Sequence, residues 1–124
     1  MNHGLTTVLT TVLTTVLDQW KSGIDDHDPS RVAALFTKDA VFQGLHPYGV
    51  GRDAVAEYYD SQPLGLSPRY RILETRELAD DLILGYLTVD FTFTDRPTLT
   101  VNLGVLLRRT DEGWLIAHYQ VSRL

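Results

Sequence analysis

The sequence predicts an α+β fold, in which a curved antiparallel sheet is covered on one face by N-terminal helices. Two observations lead to this prediction. Apolar residues recur with helical periodicity in the first half of the chain, and four long strand-like runs with short polar connections fill the second half. Helices followed by a meander of strands are typical of α+β proteins. Since no linker or change of composition interrupts the 124 residues, we expect a single domain over residues 1–124.

The first element is the repeat LTTVLTTVLTTVL at residues 5–17. On a helix its Leu and Val side chains occupy about half of the circumference, and most Thr side chains occupy the other half. Trp20 and Ile24 continue the apolar arc, whereas a strand would mix apolar and polar residues on both faces. The unit is too short for a solenoid repeat, and its apolar runs are too short for a membrane span. The repeat therefore predicts one amphipathic helix from Leu5 to Ile24.

The remaining elements follow from capping and alternation signals. Asp28 before Pro29 predicts the start of a second helix, because Asp is a favoured N-cap and Pro is favoured at the first helical position. A short strand at Asp39–Gly44 and a third helix at residues 52–62 come next. The predicted strands of the meander are residues 69–79, 82–94, 98–109 and 114–123.

The hairpin formed by the second and third of these strands separates polar from apolar side chains. A three-residue Asp-Arg-Pro loop sets Asp90 opposite Asn102. The polar face then carries Tyr86, Thr88, Asp90, Thr92, Thr100 and Asn102. The apolar face carries Leu87, Val89, Phe91, Phe93, Leu99, Val101, Leu103 and Val105. Strict alternation in the last strand places His118 on the face opposite to Asp90.

Two interpretations of the polar face are open. The face is either solvated, with Asp90 as an exposed carboxylate, or it lines a pocket in which Asp90 acts as an acid or base. In the second case the apolar face forms a dimer interface or packs elsewhere, because an apolar surface of this size has to be covered by helices or by a second subunit. We expect a homodimer through the sheet, with Asp90 in the pocket.

The stretches DHDPSRVAALFTKDAVF and RRTDEGWLIAHYQVS carry a resemblance to the nuclear transport factor 2-like superfamily. More closely, the chain resembles the SnoaL-like and SgcJ/EcaC-type small proteins, and its last strand is similar to that of the calcium/calmodulin-dependent kinase II association domain. The matching positions are Trp20, Asp28, Asp39 to Phe42, Gly51, Trp114, Ile116, His118 and Ser122. The resemblance implies a cone-shaped, cystatin-like fold with a pocket between helices and sheet, and a dimer formed through the sheet.

The resemblance and the residues together predict a small-molecule pocket. We expect the protein to bind or convert a hydrophobic compound, such as a polyketide-like molecule, by cofactor-free isomerisation, cyclisation or dehydration. The alternative is a non-catalytic dimeric domain for ligand binding or assembly, so whether the chain is an enzyme stays open. The candidate catalytic residues are Asp90 and His118. The candidate substrate-binding residues are Trp20, Tyr48, Tyr58, Tyr86, Asn102 and Tyr119.

Composition argues against several other classes of function. The 11 Lys and Arg residues are outnumbered by 16 Asp and Glu residues and never form a run longer than two, which argues against a nucleic-acid partner. No cysteine is present, and the four histidines are scattered without a metal-ligand spacing, so we expect neither a metal nor a cofactor. Without a membrane span or a thiol, the chain is expected in the cytoplasm.

Overall fold

The structure, a computed structural model, describes residues 3–124, with side chains described from Thr6 onward. The helices are α1 (His3–Asp25), α2 (Pro29–Ala33) and α3 (Arg52–Asp60). The strands are β1 (Phe36–Gln43), β2 (Gly49–Val50), β3 (Ser67–Ala79), β4 (Leu82–Thr92), β5 (Leu99–Thr110) and β6 (Gly113–Arg123). They form one sheet in the order β2-β1-β6-β5-β4-β3, in which only β1 and β6 pair in parallel. The predicted α+β class is confirmed.

The threonine-rich repeat lies within α1, as predicted. Its apolar arc packs on the sheet through side chains that are almost fully buried: Leu9, Leu13, Val16, Leu17, Trp20 and Ile24. Val8, predicted in the same arc, is exposed, and the side chain of Leu5 lies outside the described residues. On the solvent side the hydroxyls of Thr11 and Thr15 donate to the carbonyls four residues earlier, so these polar groups are satisfied within the helix. No helix in the described part of the chain combines the length and apolar character that a membrane crossing demands.

The connection between α1 and α2 is a tight turn centred on His27. His27 has a φ of 49°, a left-handed conformation that glycine adopts more readily than any other residue. The backbone N–H of Asp28 then donates to the carbonyl of Gly23 in α1. Asp28 also caps α2, because its side chain accepts a hydrogen bond from the backbone N–H of Arg31 at 3.2 Å. The predicted N-cap is therefore confirmed.

The pairing of β4 with β5 differs from the predicted register by two residues. Asp90 lies opposite Thr100, and Thr88 lies opposite Asn102. The predicted three-residue loop was wrong: β4 ends at Thr92 and β5 begins at Leu99. The ladder stops early because Pro97 has no N–H to donate to the opposite strand. A shift of two residues leaves each side chain on its predicted face, so the separation of polar from apolar residues is retained.

The apolar face of the sheet is covered by the chain's own helices. Val89, Val101 and Leu103 have no exposed surface, and α1 contacts this face, with Leu13 packed closely on Gly85. The polar face is the outer face of the sheet. The expectation that the polar face lines the interior pocket is therefore wrong, and of the two coverings left open for the apolar face the structure shows the helices. The helices bury the apolar surface, because that burial provides most of the stabilisation of the fold.

A second difference arises in β6, where the ladder with β5 is irregular. His118 pairs with Leu106, whereas Ile116 pairs with Leu107, so Ala117 is an extra residue that forms a β-bulge. The bulge reverses the alternation, and Ile116 and Tyr119 both face the core. His118 consequently lies on the outer face with Asp90, and the prediction that these two residues lie on opposite faces was wrong.

Candidate functional site

The interior of the protein contains a small apolar cavity between α3 and the ends of β4, β5 and β6. Its volume is about 40 Å³. Its wall is formed by Leu45, Tyr58, Tyr59, Gln62, Leu66, Phe91, Phe93, Leu99 and Val121. The polar groups of this wall are two phenols and one amide. We call this space the apolar cavity.

Tyr59 connects the apolar cavity to the hydrophobic core. The indole N–H of Trp20 donates to the Tyr59 hydroxyl at 3.0 Å, and that hydroxyl donates to the hydroxyl of Tyr119 at 3.3 Å. All three side chains are almost completely buried. Burial raises the pKa of Tyr59 and of Tyr119 far above the ordinary value of a phenol, so both hydroxyls stay protonated at neutral pH. This chain of donors fixes Tyr59 in one orientation at the cavity wall.

Tyr58 lies on the other side of α3 and contacts the loop that follows β1. Its ring packs against Gly44, where a Cβ atom would overlap the tyrosine hydroxyl, so this close approach requires glycine. The ring of His46 lies 5.9 Å from the Tyr58 ring. Burial raises the pKa of Tyr58, although a hydrogen bond from the backbone of Leu45 acts in the opposite direction. The loop and Tyr58 together form one rim of the apolar cavity.

The size of the apolar cavity limits what it holds in this conformation. Pockets that bind drug-sized molecules measure roughly 300–1,000 Å³, whereas a single water needs only about 10–15 Å³. A cavity of about 40 Å³ therefore accommodates a few water molecules at most. Binding of a larger ligand requires movement of the half-buried rim side chains, such as Tyr58, Phe93 and Val121.

Both predicted catalytic residues lie on the outer face of the sheet. The Asp90 carboxylate accepts a hydrogen bond from the Thr100 hydroxyl at 2.6 Å. His118 Nε2 lies 3.2 Å from the side-chain oxygen of Gln120, a neighbour on the same strand. Two open troughs of about 380 Å³ each cover this face, one beside Asp90 and one beside His118. A catalytic role for either residue stays a prediction, and it would have to operate in these open troughs.

The structure separates the predicted substrate-binding residues into four environments. Tyr58 lines the apolar cavity, and Trp20 and Tyr119 lie behind its wall in the core. Tyr86 and Asn102 lie on the outer face, where the Asn102 amide donates to the Tyr86 hydroxyl at 3.3 Å. Tyr48 is 66% exposed in the loop after β1. The set therefore does not form one site.

Sequence reasoning missed most of the residues that line the apolar cavity. Phe91, Phe93 and Leu99 were predicted to share a face, but that face was expected to be covered by helices or by a second subunit rather than to line a cavity. The sequence did carry a signal for this cavity. The aromatic pair Phe91 and Phe93 lies beside a turn and therefore at the end of the sheet, where helices cover a sheet least. Within the described residues, no three His, Asp or Glu side chains come together as a set of metal ligands.

The chain belongs to the SnoaL-like family, since the SnoaL-like domain model matches residues 12–124. The match covers the second half of α1, α2, α3 and the whole sheet. The resemblance to SnoaL-like proteins is therefore confirmed. No curated protein matches the sequence.

Solved structures with low sequence identity share the fold. A cystatin-like domain of unknown function from Nostoc punctiforme has a TM-score of 0.81 at 17% identity, over 95% of this chain and 78% of that one. A ketosteroid isomerase-like protein from Erwinia carotovora atroseptica has a TM-score of 0.73 at 24% identity, over 92% and 95%. An NTF-2-like protein of unknown function from Shewanella oneidensis has a TM-score of 0.78 at 18% identity, over 91% and 98%. The predicted cystatin-like, nuclear transport factor 2-like fold is confirmed.

Proposed function

We propose that this protein binds a small apolar molecule in the apolar cavity and does not convert it by acid–base chemistry. The observation that carries the proposal is the composition of the cavity wall. Phe91, Phe93, Leu99 and Val121 offer apolar contacts, and the polar side chains of the wall besides the engaged Tyr59 are Tyr58 and Gln62. An apolar wall with a few convergent polar groups is typical of sites for small ligands.

The same wall lacks a base for proton abstraction. Among the described residues that line it, the titratable groups are the phenols of Tyr58 and Tyr59, and burial raises the pKa of both. A phenol held in its neutral form is a hydrogen-bond donor, but it is a poor acceptor of a substrate proton at neutral pH. Proteins of this fold include isomerases and dehydratases. Binding without conversion agrees better with the side chains around this cavity.

A neutral fluorescent probe tests the proposal. N-phenyl-1-naphthylamine emits strongly in apolar surroundings, and we expect the wild-type protein to bind it and to enhance its emission. Val121→Trp should abolish this binding, because the indole fills a cavity of about 40 Å³. Ser122→Trp is the matched control, since it adds the same side chain on the exposed, outer side of the same strand.

Equal binding by wild type, Val121→Trp and Ser122→Trp would place the probe elsewhere and would contradict the proposal. Circular dichroism of each variant establishes that it is folded before its binding is compared.

We also propose a homodimer formed through the outer face of the sheet. This face is mostly polar, but Val41 and Tyr86 are each 37% exposed, and half-buried Leu84 and Leu106 flank them. An open surface with an apolar centre and a polar surround has the composition of a protein–protein interface. In a twofold dimer each subunit would offer the same surface.

Sedimentation velocity tests the dimer. We expect a dimeric mass for the wild type at micromolar concentration and a monomeric mass for Tyr86→Asp, because a buried carboxylate without a partner opposes association. Tyr48→Asp is the control, as it changes an exposed tyrosine that lies away from this face. A wild-type mass that equals one chain at every concentration would refute the dimer.

A further inference from the structure

A second, smaller cavity lies directly behind the wall of the apolar cavity. Its volume is about 10 Å³, enough for a single water, and it lies between the end of α1, the start of α2 and the end of α3. His27 and Asp28 line its far side. Tyr59, Gln62 and Leu66 line both cavities and therefore form the partition between them.

The three residues of the partition are not held equally firmly. Tyr59 is fixed by its hydrogen bonds to Trp20 and Tyr119, and Leu66 is buried in the core. The Gln62 side chain has only one hydrogen bond in the structure, a long one of 3.4 Å from its amide to the Tyr58 carbonyl. Rotation of Gln62 is therefore the least costly way to join the two cavities.

The far end of the joined space is formed by a residue in an unfavourable conformation. His27 has the only positive φ among the described non-glycine residues, at a position where glycine would be more stable. Among the side chains that the structure describes, none forms a hydrogen bond or ion pair with the His27 imidazole, whereas Asp28 is engaged by Arg31. The far end of the joined space is therefore polar, with His27 beside Asp28, and an imidazole without a side-chain partner there can bind the polar end of a ligand.

We propose that the ligand passes Gln62 and reaches His27, so that the two cavities act as one channel for an amphipathic molecule. The apolar body of the molecule lies against Phe93 and Val121, and an oxygen of its head accepts a hydrogen bond from the imidazole of His27. This inference rests on the proposed function and names its substrate class.

Two probes with the same ring system test the channel. N-phenyl-1-naphthylamine has no polar head, whereas 1-anilinonaphthalene-8-sulfonate carries an anionic sulfonate. We expect Gln62→Ala to raise the affinity for both probes about fivefold, because the fraction of molecules with an open channel increases. Gln120→Ala is the matched control, since it removes a glutamine from the outer face and should leave both affinities unchanged.

The head-group contact is tested by His27→Gly, which suits the left-handed turn and should raise the unfolding temperature. This variant should bind the sulfonate probe about tenfold more weakly than the wild type and bind the neutral probe equally well. In the wild type, the imidazole proton resonances of His27 should shift when the sulfonate probe is added.

The outcomes separate the channel from the proposed function. One result would overturn the channel and leave the proposed function standing. In that result Val121→Trp blocks binding of the neutral probe, while Gln62→Ala and His27→Gly change the affinity for neither probe. Failure of the wild type and all variants to bind either probe would overturn both. An equal loss of affinity for both probes in His27→Gly would overturn the head-group contact.

Discussion

Above pH 10 the protein should lose stability steeply, because two fully buried tyrosines resist ionisation. Burial raises the pKa of Tyr59 and of Tyr119 well above the ordinary value of 10.0, whereas in the unfolded chain both phenols ionise near that value. Above pH 10 the unfolded state therefore releases two protons that the folded state retains. The free energy of unfolding should fall by about 1.4 kcal/mol per pH unit for each tyrosine until the folded-state pKa is reached. Below pH 10 this contribution is constant.

Urea denaturation at several pH values between neutrality and about pH 11 measures this slope. Tyr119→Phe should make the fall in the free energy of unfolding shallower by about 1.4 kcal/mol per pH unit, which is the contribution of one tyrosine. Tyr48→Phe is the control, because it removes the hydroxyl of a tyrosine that is 66% exposed in the loop after β1, and it should leave the slope at its wild-type value. A slope in Tyr119→Phe equal to that of the wild type would show that this phenol does not carry the effect.

Leu13→Ala should lower the free energy of unfolding by about 2–4 kcal/mol. Leu13 has no exposed surface, and it fills the space above Gly85, where a Cβ atom would lie 2.6 Å from the leucine methyl Cδ2. Its removal leaves a cavity between α1 and the sheet that the rigid backbone on both sides cannot close.

Thr15→Ala is the matched control, since Thr15 lies on the exposed face of the same helix and bonds only to the carbonyl of Thr11. We expect a change within about 0.5 kcal/mol, because alanine has the higher helix propensity. Thr14 is less suitable, because its side chain is half-buried. Equal losses at Leu13 and Thr15 in urea denaturation would contradict the packing of α1.

The periodicity of the sequence predicted which face of each long element is buried, because burial follows directly from side-chain spacing. The repeat in α1 and the alternation around Val89 and Val101 are examples. Register was harder to predict, since a shift of two residues preserves both faces and only the missing N–H of Pro97 shortens the ladder. The bulge at Ala117 had no local signal, and it alone moved His118 to the outer face.

The candidate site was predicted less well than the fold for a related physical reason. The polar face of the sheet was interpreted as a possible active site, whereas the cavity inside this protein is lined by apolar residues such as Phe91 and Leu99. Tyr58 lies on the third helix, as predicted, and lines the apolar cavity, while its role in substrate binding stays a prediction. The role of Tyr59 depends on Trp20 and Tyr119, which are distant in sequence and meet only in the folded chain.

The parallel pairing of β1 with β6 has a consequence for the order in which the molecule assembles. β6 is the last strand of the chain, and it lies in the sheet between β1 and β5, with Phe36 beside Ile116 and Val41 beside His118. During synthesis on the ribosome, β1 therefore has no strand on its inner side until β6 has emerged. The β3–β4–β5 meander forms through local contacts, whereas the β1–β6 pairing forms last and joins the paired strands that are farthest apart in sequence. Until then Phe36 and Phe42 of β1 lack their ring contacts with Tyr119 of β6.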